Sequence, residues 1–240
     1  MILTRLLRQC LEKRGYRIYN PQNLPAGIDL ARDLRRAAPA VPIRTVFDIG
    51  ANEGQTLASF SREFPEATVY TFEPVAATFE ILKKNAAGLP RVVLENLALA
   101  DSPGTREIVL SDNSHINSLH RAADASTEAT RRATIQVDTV DAYCAARAID
   151  RIDLLKIDTE GYEIQVCQGA ERMLREGRVG FVLAEVDFRG EKTGHTDFCA
   201  LSRHLAPLGY TTHAFYDVSH WAKNPAPINY CNALFARLGG

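Results

Sequence analysis

The chain has 240 residues, 46% of them hydrophobic, enough for one substantial core, so one α/β domain with an appendage is expected rather than two. Its 28 Lys and Arg against 29 Asp and Glu leave a formal charge of -1, which gives no electrostatic case for nucleic acid or an anionic membrane as the main partner. Cys10, Cys144, Cys167, Cys199 and Cys231 are odd in number and widely spaced, with neither a Cys-x-x-Cys pair nor a Cys/His zinc pattern, and read as reduced thiols of a cytoplasmic protein.

Leu3, Leu6, Leu7, Cys10 and Leu11 fall at helical spacing, but Arg5, Arg8, Lys13 and Arg14 interrupt any apolar run. The expectation is a helix docked by its leucine stripe, with no signal peptide and no transmembrane segment. A break at Gly15, Pro21 and Pro25 precedes a second short helix from Asp29 towards Arg36, closed by Pro39 and Pro42. Residues 1–43 are thus read as a helical extension and 44–240 as the main domain.

That domain opens with strand 45–49, helix 54–63, strand 67–72, helix 75–87 and strand 91–96, a βαβαβ pattern that predicts a right-handed parallel sheet. Asp101-Ser102-Pro103-Gly104 is a turn, and Thr105 to Leu110 is expected to pair as an edge ribbon. The polar stretch 111–133 has no period and is read as a loop or lid. Thr134 to Val137, a helix from about Thr139 and the mostly apolar strand 152–157 follow, the last suited to a central position. Ile164, Cys167, Ala170 and Leu174 form one helical stripe, 179–186 is a buried strand, and a final helix spans 197–207. The strands near 210–215 and 228–236 have no crossover helix between them and should be antiparallel. No internal repeat or low-complexity tract is found.

One constellation carries chemistry. Val46-Phe47-Asp48-Ile49-Gly50-Ala51-Asn52-Glu53-Gly54 joins a strand to a helix, and the next strand ends on Glu73-Pro74. Glycines permit a sharp turn and close approach of a ligand, while a carboxylate ending the second strand can accept two ribose hydroxyls, so a nucleoside cofactor is implied. Asn52 stands where the dinucleotide fingerprint has its middle glycine.

Together, Phe47-Asp48-Ile49-Gly50-Ala51-Asn52-Glu53-Gly54-Gln55, Phe72-Glu73-Pro74, Lys156-Ile157-Asp158-Thr159-Glu160-Gly161-Tyr162-Glu163 and Glu185 resemble the FkbM family of methyltransferases, over about residues 45 to 190. Upstream, Gly15-Tyr16 through Asp33-Leu34 looks like an extension found in part of that family. The resemblance implies a class I methyltransferase fold: a Rossmann-like, doubly wound, mostly parallel seven-stranded sheet with an antiparallel last strand. It also implies S-adenosyl-L-methionine as cofactor and the hydroxyl of a sugar, glycan or polyketide as acceptor. Asp48, Gly50, Asn52 and Gly54 would then hold the methionine end, Asp48 by anchoring the loop or the amino group. Glu73 with Pro74 would take the ribose diol, Asn96 and Ala98 would lie near adenine, and Asp158 would border the cofactor.

Methyl transfer from a sulfonium is an in-line displacement that holds the acceptor oxygen about 3 Å from the methyl carbon. An aliphatic alcohol also needs a general base or an acidifying metal. Asp158 and Glu160 follow one strand and Glu185 and Asp187 end another, so these acids converge at the sheet's carboxyl edge, where ligands of open parallel sheets bind. Asp158 and Glu185 are expected to be catalytic, and with Asp187 either to hold a hard cation such as Mg²⁺ or to orient the acceptor directly. The competing reading of Asp158 or Thr159 is a helix cap before Tyr162. His195 is the expected base among six histidines; His115 and His120 lie in the lid stretch. Arg189, Lys192, His220 and Trp221 are expected near the acceptor, and a homodimer is compatible with the sequence.

Other readings are a non-catalytic S-adenosylmethionine-binding protein and a nicotinamide-dependent oxidoreductase. Asn52, the antiparallel ending and the lack of a Tyr-x-x-x-Lys pair oppose the oxidoreductase. A nucleic-acid amino-methyltransferase would carry an Asn/Asp-Pro-Pro-aromatic turn where this chain has Asp158-Thr159-Glu160-Gly161.

Overall fold

The computed structural model describes residues 10–16, 19–20, 23–110, 131–188, 195–220 and 227–237. In chain order the elements are α1 (Leu30–Ala37), β1 (Thr45–Ile49), α2 (Leu57–Glu63), β2 (Thr68–Phe72), α3 (Ala76–Asn85), β3 (Val92–Glu95), β4 (Ala98–Leu99), β5 (Gly104–Leu110) and β6 (Arg131–Asp138). They continue with α4 (Val140–Ala146), β7 (Ile152–Ile157), α5 (Glu163–Gly169), α6 (Glu171–Arg175), β8 (Val179–Asp187), α7 (Phe198–Leu205), β9 (Thr211–Tyr216) and β10 (Tyr230–Ala236).

Seven strands form one sheet in the order β3-β2-β1-β7-β8-β10-β9. Each pair from β3 to β8 is parallel, and β10 runs antiparallel to both β8 and β9. This is the expected doubly wound sheet with a reversed last strand. The central strands carry near-continuous apolar runs because helices cover both faces. Alternate residues serve opposite layers. Phe47 and Leu155 enter a cluster with Tyr143, Val166, Met173 and Leu205, while Val46 and Leu154 enter another with Leu34, Leu57, Leu82 and Leu234. Tyr143 meets Phe72 edge-on, with centroids 4.9 Å apart and planes at 78°.

The segment before residue 44 contributes to the second cluster through Ala31, Leu34 and Ile43. Asp29 caps α1 by accepting from Arg32 N–H. Asp33, 2% exposed, accepts at Oδ2 from Gly27 N–H at 2.9 Å and from the Tyr216 hydroxyl at 2.9 Å, fastening α1 to β9. The leucines of residues 1–9 lie outside the described residues.

The ribbon 105–110 is an edge strand, as expected, of a separate three-stranded sheet: β5 pairs antiparallel with β6, and β6 pairs parallel with β4. Ile108, Ile135 and Val137 on one face pack with Val75, Ala98 and Ala100, giving this sheet its own apolar cluster. Strand β6 begins at Arg131, so residues 131–133 are not part of a loop, and the remaining lid stretch, 111–130 with His115 and His120, lies outside the described residues. The stripe 164–174 is two helices meeting at Ala170. Gly169 there abuts the Ala100 carbonyl so closely that a Cβ would overlap it. No described helix is long and apolar enough to cross a membrane.

Candidate functional site

A cavity of about 570 Å³ opens beyond the carboxyl ends of β1, β2, β7 and β8, the edge that parallel topology provides for ligands. At one end lies the β1–α2 loop. Phe72 C=O accepts from both Gly50 and Ala51 N–H at 3.0 Å, turning the chain back over β2. Gly50 has φ +78, and Asn52, at φ 49, adopts the left-handed conformation that asparagine tolerates better than most residues. Gly50 and Asn52 line the cavity. Gly54, φ +88, instead faces Leu82 and lies outside the lining.

Glu73, 6% exposed, closes β2. Its Oε2 accepts from Asn52 N–H at 3.1 Å and its Oε1 from Val75 N–H at 2.8 Å. A carboxylate has about four acceptor positions, so two remain for a diol. Burial outweighs those two backbone bonds and pushes the Glu73 carboxyl up to about 7. Pro74 and Ala98 line the cavity beside it, whereas Asn96 does not; its Nδ2 donates to the carbonyls of Glu73 at 2.8 Å and Pro74 at 3.0 Å and fixes the turn.

Asp48 is 0% exposed and does not line the cavity. It accepts from Thr56 Oγ1 at 2.7 Å and pairs with Lys156 Nζ at 3.0 Å, so of its two expected roles the geometry shows the loop anchor. Lys156, 4% exposed in the middle of the sheet, also reaches Asp158 Oδ2 at 3.2 Å. The two carboxylates overcome the burial that opposes its charge and raise its proton affinity. Sequence reasoning missed Lys156, though a lysine inside an otherwise apolar central strand is itself a signal of a buried partner.

At the other end the chain leaves β7 through Asp158-Thr159-Glu160-Gly161. The cap here is neither Asp158 nor Thr159. Buried Glu163 accepts from Thr159 N–H at 2.8 Å, Thr159 Oγ1 at 2.9 Å and Gly161 N–H at 3.1 Å, leaving the Asp158 carboxylate, 35% exposed, on the cavity wall. Glu160 sits at φ 53. From β8, Glu185 enters the same space; burial and then the neighbouring Asp158, Glu160 and Glu163 carboxylates hold its proton well above the usual carboxylate range. His195 Nδ1 lies 3.3 Å from Glu160 Oε2 and 3.7 Å from Glu185 Oε2. The His195 ring runs nearly parallel to Tyr230, at 18°.

The expected trio Asp158, Glu185 and Asp187 is therefore not the one that converges. Asp187 is 2% exposed and outside the lining, its N–H bonded to Thr196 C=O where β8 meets the segment before α7. Among the described residues, Glu160, Glu185 and His195 are the ones whose ligand atoms all lie within 4.8 Å of one another. Ile108 and Ile135 of the small sheet complete a wall that no motif marked. His220 is described but does not line the cavity, and Arg189, Lys192 and Trp221 lie outside the described residues.

A seven-stranded sheet in this order, with its last strand reversed and an acid-closed loop over β1 and β2, is the class I methyltransferase fold. The chain belongs to the FkbM methyltransferase domain family, which matches residues 48–212. It is 29% identical to the 31-O-demethyl-FK506 methyltransferase FkbM of Streptomyces tacrolimicus, over 58% of this chain and 64% of that one. It is 24% identical to the 2-O-methyltransferase NoeI of Sinorhizobium fredii, over 57% and 61%, and 28% identical to the hexuronic acid methyltransferase AglP of Haloferax volcanii, over 59% and 55%. The matches thus span between 55% and 64% of these relatives' lengths.

Proposed function

We propose that the chain is an S-adenosylmethionine-dependent O-methyltransferase acting on a hydroxyl of a sugar, glycan or polyketide-type small molecule. The observation that carries this reading is the pairing of Glu73 with the Asn52 N–H across the cavity floor, at 3.1 Å. It joins a left-handed turn to a buried carboxylate with two acceptor positions to spare, as a ribose diol requires. Gly50, Asn52, Glu73, Pro74 and Ala98 border the cofactor in this reading, and Asp48, Gly54 and Asn96 hold the loops that do so. The names of the three relatives, two of them denoting O-methyl or O-demethyl chemistry and one a hexuronic acid, support an oxygen acceptor.

The acceptor enters at the acid end. Its hydroxyl oxygen bonds to the methyl carbon as the carbon–sulfur bond breaks, sulfur keeps the electron pair, and the hydroxyl proton passes to the group formed by Asp158, Glu160, Glu185 and His195. Alignment supplies much of the rate, so a wall of Ile108, Ile135 and Tyr230 that orients the acceptor matters as much as the proton acceptor does. The formal charge of -1 and five free cysteines suit a cytoplasmic enzyme of small acceptors rather than of nucleic acid.

The test is transfer of labelled methyl from S-adenosylmethionine to sugars, glycans, polyketides and extracts, with the product identified by mass. Labelled product that vanishes in Glu73→Ala is expected. Tight binding of S-adenosylhomocysteine without transfer to any acceptor would favour a non-catalytic binder.

A further inference from the structure

We infer that Glu160, Glu185 and His195 form a divalent-cation site at the acceptor end of the cavity, of the kind that accepts mixed oxygen and imidazole-nitrogen ligands, such as Mn²⁺. This deepens the acceptor half of the reading above and rests on it only in that the open coordination positions would receive the hydroxyl.

The three ligands come from three separate parts of the chain: the turn after β7, the end of β8 and the segment before α7. Their ligand atoms fall within 4.8 Å of one another, and His195 Nδ1 lies 3.3 Å and 3.7 Å from the two carboxylate oxygens. Ligands about 2.1 Å from a common ion stand roughly 3.0 Å apart at an octahedral right angle and about 3.4 Å apart in a tetrahedron. The two His195 separations lie close to these values, and the carboxylate oxygens stand within 4.8 Å of each other.

The ligand chemistry agrees with this placement. Two glutamates and an imidazole offer a divalent ion mixed oxygen and nitrogen ligands, while Asp158 is already held by Lys156 at 3.2 Å. One imidazole with two carboxylates disfavours Mg²⁺ and Ca²⁺, which prefer all-oxygen shells, and suits Mn²⁺ or a later divalent metal. The side chains are 23%, 15% and 33% exposed and line the cavity, which leaves open positions towards an acceptor. Glu160 holds φ 53, a left-handed conformation unfavourable for a non-glycine residue, in the turn that Thr159 and Gly161 fix by donating to Glu163. A cation held there would acidify a hydroxyl bound to it, and the proton would pass to Asp158 on the cavity wall, or to water, rather than to His195.

Mn²⁺ titration of the chelator-treated protein, followed by the electron paramagnetic resonance of free Mn²⁺, decides the matter. One saturable site per chain is expected. Its dissociation constant should rise at least ~100-fold in Glu185→Gln and His195→Ala and ~10-fold or more in Glu160→Gln, while Asp158→Asn shifts it less than ~3-fold. S-adenosylhomocysteine binding, measured on each variant, shows that the fold and the cofactor end are intact. Absence of saturable binding, or binding indifferent to Glu185→Gln and His195→Ala, overturns the inference and returns the proton to His195. Because the readout is metal binding, a protein that holds Mn²⁺ here yet methylates nothing keeps the site and loses the transferase reading. Transfer that survives chelation without any Mn²⁺ signal does the reverse.

Discussion

Lys156 Nζ lies 3.0 Å from the Asp48 carboxylate, and their side chains are only 5% and 0% exposed. Asp48 also holds Thr56 of the β1–α2 loop, and Lys156 also holds Asp158 of the acid end, so one buried cation ties the two halves of the cavity together. Lys156→Met should destabilise the protein by about 3–5 kcal/mol, because it strands a buried carboxylate. Urea denaturation measures this, and adding Asp48→Asn should recover part of the loss. Additive losses in the double variant would mean that the pair is not coupled.

Gly50→Ala and Gly88→Ala separate steric from conformational cost. Both glycines have positive φ, +78 and +85, but a methyl group at Gly50 would overlap the Asp158 carbonyl while Gly88 faces open space. Gly88→Ala should cost about 1 kcal/mol. Gly50→Ala should cost several times more and abolish binding of S-adenosylhomocysteine; equal thermal shifts in the two variants would refute the close packing at Gly50.

Glu73 gives the protein a pH signature. Its carboxyl titrates at about 7 in the fold against 4.5 as a free group, because burial disfavours the charge. A raised carboxylate favours the folded state below pH 4.5, and that contribution is lost as pH climbs to about 7, a change of about 3 kcal/mol. Ribose hydroxyls stabilise the anion, so cofactor binding should release a proton near pH 6 and tighten as pH rises to about 7, then level off. Calorimetry in buffers of different ionisation enthalpy tests this. Proton release that persists in Glu73→Gln would assign it to another group.

The Tyr216 hydroxyl on buried Asp33 predicts that residues 23–43 and the sheet melt together. Tyr216→Phe should cost about 1–3 kcal/mol, since Asp33 loses a donor it cannot replace from water. Limited proteolysis should then cut near α1 before the sheet unfolds. A single unchanged transition and unchanged cleavage would show that the bond does not couple the segments.

The parallel sheet was legible because Val46 to Ile49 and Ile152 to Ile157 are buried on both faces and therefore read as apolar runs, with Gly50 and Glu73 marking where β1 and β2 end. The acids Asp158, Glu160 and Glu185 were also visible, since each falls at or just past a strand's carboxyl end. Which of them meet was not: strand spacing does not reveal that Asp187 is buried outside the cavity, or that His195 lies beside Glu160 instead. Glu163 hid the turn geometry, because a buried carboxylate accepting backbone bonds looks like any first-turn helix acid. The small sheet escaped because its pairing joins Ala98 to Val137 and Thr105 to Gln136, contacts with no local periodic trace.

That small sheet makes the cavity a composite. The main sheet supplies Gly50, Glu73 and the acids, but Ile108 and Ile135 arrive on a ribbon whose strand connection to β4 is the short run from Ala98–Leu99 to Val137–Asp138. A chimera exchanging residues 104–138 between relatives would therefore refit one wall of the cavity while Gly50, Glu73 and the acids keep their register. Under the proposed function, selectivity and chemistry would then rest on separately replaceable parts.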